Sequence, residues 1–219
     1  MSGNVFINEK RVEKAGQQVK TDSKIEIKGK TYPWVSRGGI KLEKAILEFK
    51  LNCDLIIALD IGASTGGFTD VLLARGAKKI YAVDVGYGQL DWKLRQDERV
   101  IVKEKINARY LTDKIIQDPL DALVCDVSFI SLKKVLPPGL RLLKSHGWLV
   151  ALIKPQFEVG KGLVGKGGVV RDPRLHESVI NDITKWIELE INMSILGVIE
   201  SPILGPSGNK EFLIVATKN

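Results

Sequence analysis

Four apolar runs of this sequence close on a charged residue. Asp60 ends one in LDIGASTGGFTD (Leu59–Asp70), Asp84 another in IYAVDVG, Asp126 a third in ALVCDVSF and Lys154 a fourth in LVALIKPQFE. A charge at such a place is partly stripped of water and must be paired or used. Gly62, Gly66 and Gly67 follow Asp60, interleaved with Ser64 and Thr65 and continued by Phe68 and Thr69. Glycines there let the chain turn tightly and bring bare backbone N–H groups to a ligand at the start of the next helix. A plain G-x-G-x-x-G is absent, because Ala63 and Ser64 follow Gly62, so a diphosphate is less favoured. The acid at Asp60 also argues against a phosphate and suits an ammonium group. Asp84 can accept both hydroxyls of a ribose. The other reading of these two acids is that they cap turns and helices. Asp126 and Lys154 can equally be a structural ion pair.

A second glycine-rich stretch, GKGLVGKG (Gly160–Gly167), approaches the P-loop pattern G-x-x-x-x-G-K-[ST] but ends in glycine. No hydroxyl is available there for magnesium, and no clear helix follows Lys166. The stretch reads either as a basic loop able to close over substrate or as an ordinary flexible loop.

These residues are positioned by alternating strands and helices. Strands are expected over 55–60, 79–84, 100–103, 122–126, 148–154, 195–201 and 211–217. Helices are expected over 40–49, 68–75, 89–95, 132–143 and 173–189. The strands are continuous apolar runs, as in a parallel sheet covered on both faces. The last two are joined only by PILGPSGNK, too short for a crossover helix, so they must pair antiparallel. The fold class is therefore α/β, doubly wound, with a terminal antiparallel pair. Residues 4–28 read instead as short strands, in a unit too small to bury a core alone.

The 219 residues carry 33 Lys and Arg against 26 Asp and Glu, a formal charge of +7. Residues 1–41 hold nine basic and four acidic residues, so a basic end precedes a nearly neutral body. Such an end suits a polyanion, or is a solvated basic surface. Two histidines argue against a histidine-built zinc site, and no metal site is expected. Cys53 and Cys125 read as reduced, buried thiols of a cytoplasmic protein. No apolar run is long enough to span a membrane, and the first residues do not look like a secretory signal.

Together the motifs resemble the FtsJ-like ribose 2′-O-methyltransferases, most closely the TlyA-type family often labelled haemolysin-like. The resemblance rests on SRGGIKLEKA (Ser36–Ala45), LDIGASTGGFTD, AVDVGYGQL, CDVSFISL (Cys125–Leu132), IKPQFEVGK (Ile153–Lys161) and GNKEFLIVA (Gly208–Ala216). It implies the seven-stranded, mostly parallel sheet of S-adenosylmethionine methyltransferases. It implies a catalytic Lys-Asp-Lys-Glu set at Lys41, Asp126, Lys154 and Glu211, with Lys154 the candidate base for a ribose hydroxyl. A lysine can serve so only if a neighbouring cation or desolvation frees its lone pair. S-adenosylmethionine would lie against Asp60, Gly62, Ser64, Thr65, Gly66, Gly67, Phe68, Thr69, Asp84, Val85, Asn107 and Asp126. RNA would meet Ser36, Arg37, Gly38, Phe129 and Gln156. Phe129 either stacks on the target base or packs in the core.

Residues 1–29 resemble the strand half of an S4-type RNA-binding domain, without the helical half that carries much of its RNA contact. Residues 30–37 are expected to be a linker opening the first methyltransferase motif, and 38–219 the methyltransferase domain. The implied partner is ribosomal RNA or a ribosomal subunit, with no membrane involved. Two other readings are kept: a non-catalytic RNA-binding or ribosome-assembly protein, and a membrane-active haemolysin. DVSF in place of an Asn/Asp-Pro-Pro-aromatic motif disfavours methylation of an amino nitrogen.

Overall fold

The structure is a computed structural model that describes residues 5–12, 16–27 and 32–219. It divides into two compact units, Met1–Pro33 and Trp34–Asn219. In the first unit β1 (Val5–Ile7), β2 (Lys10–Arg11) and β3 (Ile25–Ile27) form an antiparallel sheet in the order β2-β1-β3. The loop between β1 and β2 is Asn8-Glu9, with φ of 47° and 69°. Two positive φ values are what a two-residue hairpin loop demands, and asparagine tolerates them best among non-glycine residues. The Asn8 side chain then accepts from Lys24 N at 2.9 Å and ties β1 to the start of β3. Among the residues of this unit whose burial is described, which leave out Arg11 and Ile27, none is buried. Residues 1–4, 13–15 and 28–31 lie outside the described residues, and with them parts of the expected 1–29 unit and of the 30–37 linker, including Lys14, Lys28 and Lys30.

The second unit opens with α1 (Gly38–Phe49), which buries Leu42, Ala45 and Ile46 on one side. It continues through β4 (Ile57–Ile61), α2 (Gly67–Ala74), β5 (Lys79–Val83), α3 (Trp92–Arg95), β6 (Val100–Lys103), β7 (Leu120–Cys125) and α4 (Leu132–Arg141). It ends with β8 (Leu143–Ile153), α5 (Pro155–Glu158), α6 (Pro173–Leu189), β9 (Met193–Glu200) and β10 (Phe212–Lys218). One seven-stranded sheet runs β6-β5-β4-β7-β8-β10-β9. β6 through β8 are mutually parallel, and β10 lies antiparallel between β8 and β9. The expected terminal antiparallel pair is present, and its second strand also reaches the sheet interior.

Leu59, Leu123, Leu149 and Ile214 are fully buried on these strands, under a core continued by Leu136, Ile183 and Ile187. Burial of side chains of this size supplies about 1.5–3 kcal/mol each before chain entropy is subtracted. α1 and α2 approach closely through glycine. A Cβ on Gly67 would strike Ser36 Oγ and lie 2.9 Å from Gly39 N. Both cysteines are buried and free, and burial pushes both thiols up, Cys53 to about 11.

Some boundaries differ from the sequence expectation for local reasons. β4 begins after Leu55, which is exposed at a φ of 57° and donates to Gly76 O. α3 begins only at Trp92, because Asp91 caps it by accepting from Lys93 N. β8 extends back to Leu143, which pairs with Leu120 across a register shift. α4 accordingly stops at Arg141.

Candidate active site

Parallel strands deliver their ends to one edge of a sheet, and an antiparallel strand delivers its start there. Asp126 follows β7 and Lys154 follows β8, so both emerge at this edge. Phe212 pairs with Ile153, which places Glu211, just before β10, beside Lys154. Lys41 reaches the same point from α1. The four side chains form one chain of contacts. Lys41 Nζ lies 2.8 Å from Glu211 Oε2 and 3.4 Å from Asp126 Oδ2. Lys154 Nζ lies 2.6 Å from Asp126 Oδ1 and donates to Ser128 Oγ at 3.0 Å. Lys41, Lys154 and Glu211 are 6%, 7% and 1% exposed. Groups so buried persist only when paired, and here two lysine nitrogens alternate with two carboxylates.

The glycine turn lies beside this set. Gly62 has a φ of +81°, and a Cβ there would lie 2.9 Å from Asp126 O, so the turn can pass close to Asp126 only as glycine. Asp84 Oδ2 accepts from Ser64 N at 2.8 Å and Asp84 Oδ1 from Gly86 N at 2.7 Å. Each oxygen keeps a second lone pair. Asp60 is fully buried beneath the turn, where its Oδ2 accepts from Thr69 Oγ1 at 2.7 Å. Its Oδ1 has no hydrogen-bond partner. Burial is the main cause that pushes the Asp60 carboxyl up to about 7; Thr69 opposes the shift, and Asp126 and Asp84 add to it.

Two cavities of about 520 and 460 Å³ open here and share Gly62, Ser64, Asp126, Ser128 and Phe129. Lys41, Lys154 and Glu211 line the first, with Ser36, Arg37, Gly38, Thr65, Gly67, Phe68 and Gln156. Asp84, Val85 and Asn107 line the second. Asp60, Gly66 and Thr69 line neither: Asp60 and Thr69 bond to each other, and Gly66 packs on Leu90 and Leu94. Their place is in the support of the turn.

Phe129 is 90% exposed, with a φ of 66°, and its ring lies 5.0 Å from that of Phe157. Core packing is therefore excluded for Phe129. A left-handed aromatic residue held open at a cavity lip is strained, and such strain collects at functional sites. The GKGLVGKG stretch forms a short 3₁₀ turn (Lys161–Leu163) and a reverse turn closed by Gly165 N donating to Val169 O. No helix starts at Gly167; α6 begins at Pro173. Asn209, buried two residues before Glu211, donates to Gly168 O and accepts from Val170 N.

Sequence reasoning missed Ser128, Phe157 and Asn209 as residues of the site. Each lies within two residues of a residue it had named, in DVSF, KPQFE and GNKE. That proximity was the available signal.

The sequence pattern of the FtsJ-like methyltransferases matches residues 34–218. The 16S/23S rRNA (cytidine-2′-O)-methyltransferase TlyA of Mycobacterium tuberculosis is 49% identical over 181 residues, covering 83% of this chain and 67% of that protein. Hemolysin A of Brachyspira hyodysenteriae is 44% identical over 218 residues, covering 97% and 88%. A solved structure of a hemolysin-named protein from Streptococcus thermophilus has a TM-score of 0.86 at 44% identity, covering 100% of this chain and 80% of that one. Among the described residues, no helix is long and apolar enough to cross a membrane.

Proposed function

The chain belongs to the FtsJ-like methyltransferase family, and from that premise we propose that it transfers a methyl group from S-adenosylmethionine to a ribose 2′-hydroxyl of ribosomal RNA. The observation that carries this reading is Asp126, held between Lys41 and Lys154 in a cavity that adjoins the glycine turn.

The residues present fit the methyl donor. Asp84, oriented by two backbone N–H groups and keeping a lone pair on each oxygen, suits paired ribose hydroxyls. Val85 and Asn107 line the same cavity. When bound, S-adenosylmethionine supplies an electrophilic methyl group on a cationic sulfur.

Lys154 takes the proton of the 2′-hydroxyl as its oxygen attacks; the proton passes from oxygen to Nζ and then to solvent. Asp126 holds the Lys154 amine in place and shares its charge with Lys41. Glu211 fixes Lys41 at 2.8 Å. Phe129 offers its open face to the target base, because unstacked RNA bases are captured on aromatic rings. Arg37, with Ser36, Gly38 and Gln156 on the same cavity wall, meets the RNA strand. The N-terminal unit is the strand part of an S4-type RNA-binding domain and holds RNA through its phosphates; its exposed Lys10, Lys20 and Lys24 support this role.

The test is incubation with methyl-labelled S-adenosylmethionine and intact ribosomal subunits, followed by mapping of the product. Label on a ribose 2′-oxygen is expected. Label on a base nitrogen, or none on any subunit, would overturn the reading.

A further inference from the structure

Lys154 has two polar partners in the structure, and only one of them, Asp126, belongs to the charged set. The other is Ser128, two residues beyond Asp126, whose Oγ accepts from Lys154 Nζ at 3.0 Å. We propose that Ser128 is a positioning residue that fixes the rotation of the Lys154 amine, so that its lone pair faces the substrate hydroxyl. This inference rests on Lys154 being the base.

A neutral amine is tetrahedral: one bond to Cε, two N–H bonds and one lone pair. Nothing in a lysine side chain fixes rotation about the Cε–Nζ bond, and three staggered settings are open to it. With Asp126 alone beside it, the ion-pair contact fixes no N–H direction, and only the setting that turns the lone pair onto the carboxylate is disfavoured. Ser128 Oγ at 3.0 Å holds one N–H, and the carboxylate oxygen Asp126 Oδ1, an ion-pair contact at 2.6 Å with no hydrogen-bond partner, repels a lone pair turned toward it. The remaining tetrahedral direction belongs to the lone pair. Lys154 is buried except where it lines the cavity, so that direction is the one open to a hydroxyl.

The local backbone is built to hold Ser128 there. Asp126 N donates to Ile61 O at 3.1 Å, anchoring the segment to β4. Phe129 then turns the chain at a φ of 66°, and its ring rests against Phe157 on α5, which follows Lys154 directly. The chain is thus held on both sides of Ser128, before it by β4 and after it by the contact of Phe129 with α5. Ser128 also borders both cavities, so it stands where donor and acceptor meet.

Single-turnover methyl transfer on ribosomal subunits, followed across pH, tests this with Ser128→Ala, Ser128→Thr and Lys154→Met. In Ser128→Ala the plateau rate should fall about tenfold, as expected for a reacting group left loosely oriented. Its pH–rate curve should also move to lower pH. The hydroxyl accepts from the ammonium and favours that charged form, so its removal frees the lone pair at lower pH. Ser128→Thr restores the acceptor and should return both features toward wild type. A purely structural role would slow the reaction without moving the pH midpoint, and that result overturns the proposal. A wild-type rate and midpoint in Ser128→Ala, with Lys154→Met inactive, overturns it while leaving Lys154 as the base. A Lys154→Met protein with the wild-type rate and pH profile overturns both readings.

Discussion

The two units of this protein use the same side chain in opposite ways. In the first 33 residues the described lysines stand in solvent, and no described side chain is buried. Lys24 pairs with Glu26 at 2.6 Å, yet the lysine side chain stays 74% exposed. Such a pair contributes little in water, and salt screens it. In the second unit Lys41 and Lys154 are stripped of water and held by named carboxylates at fixed distances. Desolvation separates the two cases: an exposed ammonium can serve as a phosphate contact, while a buried one becomes a reactive, precisely oriented group only because its partners are built in. Changes to the second set should therefore act on rate, and changes to the first on affinity and its salt dependence.

The largest effect is expected at Lys154. Lys154→Met keeps most of the apolar stem and removes the amine, so single-turnover transfer should slow about 10²–10⁴-fold. Cofactor affinity should change far less, because a sulfonium gains nothing from a nearby ammonium. A large loss of cofactor binding measured by calorimetry, with the transfer rate intact at saturation, would erase the distinction between rate and affinity.

Next in size is removal of the first unit. A protein beginning at Tyr32 retains every described core residue, since these all lie in the second unit. It should bind S-adenosylmethionine as the full chain does and bind RNA about a hundredfold more weakly at low salt. The slope of RNA affinity against salt should also become shallower, because fewer counterions are released. Equal slopes for the two proteins would show that the exposed lysines of the first unit touch no phosphate.

Much of this division was legible in the sequence. Apolar runs that close on charge gave Asp84, Asp126 and Lys154, and the short PILGPSGNK connection required the antiparallel pair of β9 and β10. Periodicity carried no sign of Lys41 and Glu211, which are far apart in sequence and meet only because β10 enters beside β8. Their names came from family resemblance alone. Asp60 was expected to face the ligand, whereas it lies beneath the turn on Thr69. A strand-end acid can project above or below the turn that follows, and its neighbours in sequence do not say which. Phe129 was open between core and cavity, because left-handed backbone at a bulky residue leaves no mark in composition.

A smaller effect is expected at Asp84. Asp84→Ala removes an acceptor of paired hydroxyls together with the bonds to Ser64 N and Gly86 N. The cofactor should bind about 1.5–3 kcal/mol more weakly by calorimetry, the worth of charge-assisted hydrogen bonds. RNA affinity measured without cofactor should hold. An unchanged cofactor affinity would leave Asp84 as a turn cap.

The smallest effect concerns Asp60 and is read in stability. Burial raises this carboxyl from 3.8 to about 7, so the folded protein holds the proton more tightly than the unfolded chain does. Its contribution to stability is then complete below about pH 4 and is lost as pH rises through about 7, where folding must bury a charge. Asp60→Asn carries no proton in either state and should lack that loss. Comparing melting temperatures at pH 5 and pH 8, the wild type should drop by a few degrees more than the variant, in the absence of cofactor. The comparison of slopes is independent of any constant cost from the amide itself. Thr69→Val sharpens it, because the Thr69 hydroxyl donates to Asp60 Oδ2 and favours the charged carboxylate. Without that bond the folded carboxyl is pushed higher still, so the loss of stability should continue to higher pH than in the wild type. If Asp60→Asn and wild type lose stability in parallel between pH 5 and pH 8, the carboxyl is already ionised throughout, and the desolvation argument fails at this site.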